Sequence, residues 1–187
     1  MIAPVFVDAD ILVYARDAGE TVKQPRAADW IARLWSERAG RTSMPVLSEY
    51  YVTVTRKVKP AMAADAAWND VRSYLVWKPQ PADEALLQCT REIEQRYRLN
   101  WPDSMVVAAA RLQDCALLLT EMLPDGAAFG SVTVRSPFTL SVEATRSSYA
   151  VAPAIQGHPP RGRPPGVSTG QKGFRRASVA AAAPRQP

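Results

Sequence analysis

The sequence predicts an α/β fold, a three-layer sandwich in which helices cover both faces of a central parallel sheet. Short apolar segments alternate along the chain with longer segments of helical periodicity. The apolar segments at 3–7 and 116–119 have no polar face, which is typical of strands buried on both sides. Because no repeat of about 20 to 50 residues is visible, we expect one sheet rather than a solenoid.

The N-terminal half of the chain predicts two strands, each followed by a helix. Residues 3–7 form a continuous apolar run, and residues 24–37 then place Ala, Ile, Leu and Trp at helical spacing. A second short strand is predicted at 41–44. Pro45 suits the first turn of the next helix, which continues to about residue 57, because the first turn leaves its N–H groups unpaired and proline has none.

The C-terminal half predicts three more helices and two more strands. Apolar periodicity indicates helices at 61–75 and 82–97. A third helix begins with Asn100 or Trp101 near its N-cap and has Pro102 in its first turn. Apolar runs at 116–119 and 131–134 predict the last two strands of the sheet.

Charge and composition divide the chain into two parts. Residues 1–141 carry 16 Lys and Arg against 17 Asp and Glu, whereas residues 142–187 carry seven basic residues and one acidic residue. The second part is rich in Pro, Ala and Gly, so apolar burial cannot offset its folding entropy. We predict a folded domain over 1–141 and a basic tail over 142–187, disordered from about Ser147. A passive extension, an RNA-attracting arm and a shifted reading frame all stay open for this tail.

The composition argues against several kinds of functional site, and against a membrane span or a signal peptide. Cys89 and Cys115 lie in apolar segments without CxxC spacing, so we expect reduced core thiols. His158 is the single histidine, which excludes histidine-dependent triads and classical zinc sites. No apolar run of about 18 residues predicts a membrane span, and Asp8 comes too early for a signal peptide. We therefore expect a cytoplasmic protein.

Acidic residues stand where predicted strands end and predicted helices begin. Asp8 directly follows the first strand, and Glu121 follows Thr120 at the end of the strand at 116–119. Glu49 and Asp103 each lie in the first turns of a helix. Because ligands of parallel sheets bind outside the carboxyl ends of the strands, we expect these acids to meet at one rim.

A rim of four carboxylates predicts a divalent metal site. Each acid taken singly is more often a helix cap or a partner of the helix dipole. Together they repel one another, and a hard cation offsets that repulsion. Mg²⁺ or Mn²⁺ takes oxygen ligands, retains waters and bridges to phosphate. Clustered acids without His or Cys therefore indicate metal-assisted phosphate chemistry.

Four segments of the chain carry a more specific pattern. They are FVDADILVYARD (6–17), SMPVLSEYYVTVTRK (43–57), NWPDSMVVAAARLQDCALLLTE (100–121) and VTVRSPF (132–138). In order and spacing they resemble the PIN-domain ribonucleases, especially the VapC-type toxins of bacterial toxin–antitoxin pairs. The resemblance covers about residues 3–140. It implies a PIN-like fold, metal-dependent RNA hydrolysis, an RNA substrate, a cognate antitoxin partner and a homodimer.

The resemblance also implies roles for individual residues. Asp8 and Asp103 would hold Mg²⁺ or Mn²⁺, and Glu49 would coordinate the ion or position the attacking water. Thr120 matches the hydroxyl residue that the family has at the end of this strand. Asp10 stands where the family often has Asn or another small polar residue, and we expect it to be auxiliary.

One position departs from the family pattern. The fourth acid commonly lies two residues after Thr120, where this chain has Met122, so Glu121 or Asp125 would supply that oxygen instead. Met44, in place of a frequent glutamine, is a smaller departure. Because residues 1–141 are nearly neutral, local basic residues near the rim would contact the RNA, and the candidates are Arg16, Arg56 and Lys57.

Two other functions are compatible with the sequence. The segment Asp8-Ala9-Asp10 also resembles the nucleophile loop of haloacid-dehalogenase-like phosphatases, although the later adjacent acid pair of that family is missing. Met122 supports a second alternative, in which a catalytically impaired PIN fold binds RNA or an antitoxin without cutting. A metal-dependent cleavage assay separates a binding module from an enzyme.

Overall fold

A computed structural model describes residues 3–139, and the predicted tail at 142–187 lies outside the described residues. The strands are β1 (Val5–Val7), β2 (Gly40–Arg41), β3 (Leu117–Leu119), β4 (Ala128–Phe129) and β5 (Val132–Arg135). They form one sheet in the order β2-β1-β3-β5-β4. All neighbours are parallel except β4, which is antiparallel to β5. The predicted α/β class is confirmed.

Helices occupy most of the chain between the strands. They are α1 (Ala9–Tyr14), α2 (Lys23–Glu37), α3 (Met44–Arg56), α4 (Ala64–Tyr74), α5 (Glu84–Tyr97) and α6 (Trp101–Leu112), with a 3₁₀ turn at Leu75–Trp77. Within residues 3–139 no helix is long and apolar enough to cross a membrane. Cys89 and Cys115 are buried and free, which confirms the prediction of core thiols.

The middle of the sheet carries the first predicted acid. β1 and β3 are buried along their whole length and pair in parallel, with Val7 opposite Leu119. The pairing continues one step further, because the backbone N–H of Asp8 donates to the Leu119 carbonyl at 3.1 Å. The residues that follow the two strands, Asp8 and Thr120, therefore lie side by side.

The predicted strand at 41–44 is wrong in its extent. β2 ends at Arg41, and the Ser43 side chain caps α3 by accepting a hydrogen bond from the Val46 N–H at 3.3 Å. The backbone of Gln80 completes the pairing here, since it donates to the Thr42 carbonyl and accepts from the Met44 N–H, both at 2.9 Å. A helix cap therefore replaces the second half of the strand, and α3 starts at the same rim as Asp8.

The edge strand β2 needs a glycine for packing. A Cβ atom at Gly40 would lie 2.4 Å from the Trp77 ring, which is too close for any side chain. Trp77 belongs to an aromatic cluster with Trp35 and Tyr74, and Tyr74 in turn meets Tyr50 of α3 edge to face. The cluster thus joins the sheet edge to the helix that carries Glu49.

Candidate active site

A pocket of about 490 Å³ lies beside the end of β1. Four of the acids predicted from the sequence line it: Asp8, Asp10, Glu49 and Asp103. They come from the end of β1, from α1, from α3 and from the start of α6. Residues that are distant in sequence therefore present carboxylates to one space, as the rule for parallel sheets predicted.

Asp8 is the most deeply buried of these acids, with 6% of its surface exposed. It is the N-cap of α1, and its Oδ1 accepts from the Ala9 N–H at 2.7 Å. Its Oδ2 accepts from the Thr120 hydroxyl at 2.8 Å. These hydrogen bonds hold both carboxylate oxygens in place, and the bond to Thr120 follows directly from the parallel register of β1 and β3.

Asp10 links α1 to the segment that follows β3. Its Oδ1 accepts from the Ile11 N–H at 2.7 Å, and its Oδ2 accepts from the Glu121 N–H at 2.8 Å. The Thr120 hydroxyl lies 3.4 Å from the same Oδ2. Thr120 Oγ1 also accepts from the Met122 N–H at 3.0 Å, so one hydroxyl orders both acids and the chain beyond the strand.

Burial raises the pKa of the Asp8 carboxyl to about 7. The nearby Asp10 carboxylate adds to this increase and Glu49 adds less, whereas hydrogen bonds from Thr120 and Ala9 act in the opposite direction. Burial also raises the pKa of Asp10, to about 6. Both carboxyls therefore lie where negative charge is costly.

Asp103 is held in position by the cap of α6. The Asn100 side chain is the N-cap, and its Oδ1 accepts from the Asp103 N–H at 2.9 Å. The Asn100 amide Nδ2 donates to Asp103 Oδ2 at 2.8 Å. This reciprocal arrangement resembles a capping box, and it leaves Asp103 Oδ1 without a hydrogen-bond partner within residues 3–139. Of the two positions predicted for this N-cap, Asn100 and Trp101, the structure has Asn100.

Glu49 and Lys57 are the exposed charged residues of the pocket, and both belong to the α3 region. Neither side chain makes a hydrogen bond or an ion pair within the part of the chain that the structure describes. Lys57 is the C-cap of α3 and is the one basic residue among those that line the pocket. Four carboxylates therefore face a single ammonium group.

The sequence pattern of the PIN domain family matches residues 5–121. The chain belongs to the PIN domain family. This family is one of nuclease-type hydrolases, so the match excludes the alternative of a haloacid-dehalogenase-like phosphatase. Comparison with curated proteins gives no significant match.

Two solved structures show a likeness to this PIN domain. A toxin–antitoxin complex from Klebsiella pneumoniae is 17% identical, with a TM-score of 0.48 over 71% of this chain and 97% of that chain. VapC20 of Mycobacterium tuberculosis, a sarcin–ricin loop cleaving toxin, is 21% identical, with a TM-score of 0.48 over 61% of this chain and 86% of that chain. The family assignment rests on the sequence match and not on these two structures.

The donor atoms of the pocket suit a hard divalent cation. Its acids present oxygen, and among the residues from 3 to 139 neither His nor Cys lines it. Within residues 3–139, no three Asp, Glu, His or Cys side chains are arranged as ligands of one ion. Mg²⁺ does not need three, because one or two carboxylates with retained waters commonly hold it. Asp8 and Asp103 could provide these two ligands.

Two predicted acids do not line the pocket of this PIN domain. Glu121 forms an ion pair with Lys23, with 2.6 Å between Oε2 and Nζ. Asp125 accepts hydrogen bonds from Arg135 Nε at 3.0 Å, from the Ser136 N–H at 2.9 Å and from the Thr139 hydroxyl at 3.1 Å. Both carboxylates therefore have partners elsewhere, and the pocket has Met122 at the position of the missing acid.

The basic residues that the sequence suggested for RNA contact have different positions. Lys57 lines the pocket, whereas Arg56 does not. Arg16 pairs with Asp70, which also accepts a hydrogen bond from the Tyr50 hydroxyl at 2.7 Å. Sequence reasoning had no signal for the pairing of Arg16, because its partner lies 54 residues away on α4.

Proposed function

We propose that this PIN domain is a Mg²⁺- or Mn²⁺-dependent ribonuclease that hydrolyses RNA phosphodiester bonds. The observation that carries the proposal is the buried Asp8 carboxyl next to the Asp10 carboxylate, in a pocket where Lys57 is the one basic residue among the described residues that line it. Burial raises the pKa of Asp8 to about 7. Such a carboxyl is poorly placed as an ion in the metal-free protein. A bound cation would stabilise its charged form and those of its neighbours.

Each residue has a distinct part in the proposed reaction. Asp8 and Asp103 hold the ion, which, when bound, lowers the pKa of water and neutralises charge on the scissile phosphate. Glu49, which has no partner within residues 3–139, accepts the proton of the attacking water. Lys57 contacts a phosphate of the RNA. Thr120 keeps Asp8 in its orientation by the hydrogen bond of 2.8 Å.

We also propose that the protein is the toxin of a toxin–antitoxin pair, with a cognate antitoxin and a homodimeric state. The four sequence segments that resemble VapC-type toxins support this assignment. A pocket rich in carboxylates also suits a basic side chain of an inhibitory protein, because such a group would balance the charge in place of the ion.

A catalytically impaired binding module is the second candidate function. Met122 favours it, because this side chain lines the pocket with 68% of its surface exposed and supplies no carboxylate. A binding module would retain RNA or an antitoxin in the same pocket and would leave the RNA intact. The difference between the two candidates is therefore cleavage and not binding.

Cleavage of an RNA panel by nuclease-free protein tests the proposal. We expect no cleavage in EDTA and cleavage with Mg²⁺ or Mn²⁺. Asp8→Asn and Asp103→Asn should each reduce the rate by about 100-fold or more, because a ligand contributes at least as much as the outer-shell groups whose loss costs about 10- to 100-fold. Asp65→Asn, on the exposed face of α4, is the matched control and should cleave like the wild type.

Two results would contradict this assignment. Undiminished cleavage in EDTA would remove the metal from the mechanism. Binding of RNA without cleavage, in Mn²⁺ and over the whole panel, would favour the binding module.

A further inference from the structure

Trp101 is an exposed aromatic residue at the candidate active site. It is the first residue of α6, it lines the pocket, and 39% of its surface is exposed. Within residues 3–139, neither an aromatic ring nor a basic side chain stacks on its indole. By contrast, Trp35 stacks on Tyr74, and Trp77 packs in the same cluster. The indole is therefore partly exposed to the pocket and has no stacking partner among residues 3–139.

The indole continues an apolar wall of the pocket. Pro102, Met105, Val106 and Met122 line the same space, and Met122 is largely exposed. Asp103, a proposed metal ligand, lies two residues after Trp101 in the first turn of the same helix. The first turn of α6 thus contributes a carboxylate and an aromatic surface to one pocket. With a cation on the carboxylate to bind the phosphate, this combination suits a nucleotide, which also has a flat base.

Charge alone would give this site little affinity for RNA. Residues 1–141 carry 16 basic and 17 acidic residues, and among the described residues only Lys57 is a basic residue that lines the pocket. Sequence-independent binding to nucleic acid otherwise depends mainly on contacts of Lys and Arg with phosphates. Stacking on aromatic side chains is the other general source of affinity for unpaired bases, and it contributes about 1 to 3 kcal/mol per base.

We propose that Trp101 stacks on an unpaired base next to the scissile phosphate of the RNA. The inference rests on the proposed ribonuclease function and adds a residue of this chain that contacts the substrate. In a duplex each base is paired and stacked, and its face is not open to an indole. RNA that is fully paired around the cut should therefore be a poor substrate.

Cleavage kinetics with variants of Trp101 test this inference. Trp101→Ala should lower kcat/KM on a single-stranded RNA by about 5- to 100-fold, the loss of one stacked base. Trp101→Phe should retain part of the activity, because a smaller ring still stacks. Trp68→Ala is the matched control, since Trp68 is 53% exposed on α4 and does not line the pocket. Far-ultraviolet circular dichroism and thermal midpoints establish that each variant is folded.

A fluorescent base provides a readout that a merely structural role would not change. RNA with 2-aminopurine beside the mapped cut should lose emission on binding to wild-type protein, and Trp101→Ala should abolish this quenching. Equal kcat/KM for wild type and Trp101→Ala would overturn the inference, as would equal cleavage of the same sequence in a duplex. Unchanged RNA cleavage with loss of antitoxin binding would assign this surface to the protein partner instead. Failure of wild-type protein to cut any RNA would count against the ribonuclease proposal itself.

Discussion

Lys23 Nζ lies 2.6 Å from Glu121 Oε2, and this ion pair joins the start of α2 to the segment after β3. The same ammonium donates to the Tyr14 hydroxyl at 3.2 Å and lies over the Tyr14 ring. The hydrogen bond to Glu121 is the main reason that the pKa of Lys23 is raised. Glu121 therefore has a counter-charge in Lys23, whereas Asp8 forms no ion pair with any residue between 3 and 139.

Replacement of either partner of this pair should affect structure more than catalysis. We expect Glu121→Gln and Lys23→Met each to lower the free energy of unfolding by about 0.5 to 1 kcal/mol, as for partly exposed ion pairs. Cleavage rates should remain within about tenfold of wild type, because the Glu121 N–H that binds Asp10 is retained. Urea denaturation and single-turnover kinetics provide the two measurements. A loss with Glu121→Gln as large as that with Asp8→Asn would identify Glu121 as a metal ligand.

Metal-free protein should become less stable as the pH rises. The pKa of Asp8 in the folded protein, about 7, exceeds the ordinary aspartate pKa of 3.8 that applies to the unfolded chain. Protonation of Asp8 therefore contributes stability that is fully present below pH 3.8 and is lost as the pH rises through 7. The asparagine side chain of the Asp8→Asn variant cannot ionise in this pH range. The variant's free energy of unfolding, relative to wild type in EDTA, should rise by roughly 2 to 3 kcal/mol between pH 5 and pH 8.

Urea titrations at both pH values measure this difference, and Asp65→Asn serves as the control. Excess Mg²⁺ at pH 8 should stabilise wild type more than Asp8→Asn, because only wild type has the carboxylate at position 8. The difference in unfolding free energy between wild type and Asp8→Asn could instead be the same at pH 5 and pH 8. That result would show that Asp8 ionises as easily in the folded chain as in the unfolded one.

Met122→Asp should strengthen metal binding. Met122 is 68% exposed and lines the pocket, so the exchange adds a carboxylate with little loss of packing. We expect the Kd for Mn²⁺, measured by calorimetry, to fall by roughly tenfold, since an added carboxylate supplies charge and an oxygen ligand. Val76→Asp is the matched control, because Val76 is 71% exposed and lies away from the pocket. Equal Kd values for both variants would mean that position 122 does not reach the ion.

Asp125→Asn should lower stability without a change in cleavage. The carboxylate accepts hydrogen bonds from Arg135, Ser136 and Thr139, and these bonds lower its pKa. Loss of the charged acceptor should cost about 1 to 2 kcal/mol of unfolding free energy. Thermal and urea unfolding provide the measurement, with cleavage kinetics run in parallel. A folded Asp125→Asn protein with strongly reduced kcat would restore Asp125 to the set of active-site acids.

Local sequence signals predicted much of the fold. β1 and β3 could be located because segments buried on both faces contain only apolar residues. Asn100 and Pro102 marked the start of α6, since capping and first-turn preferences depend on neighbouring residues only. Two short elements were not predicted. α1 has six residues rich in strand-forming side chains, and β4 has two residues, so neither offers enough length for a periodic pattern.

The sequence by itself determined which acids follow strands and begin helices, and hence that Asp8, Glu49 and Asp103 face one pocket. Tertiary structure alone decided which groups the carboxylates of Asp10 and Glu121 contact. Asp10 accepts a hydrogen bond from the Glu121 N–H, 111 residues away, and Glu121 pairs with Lys23, 98 residues away. Periodicity and capping report only local geometry, whereas the charge balance of a carboxylate depends on which distant groups the sheet register and helix packing bring within a few ångströms.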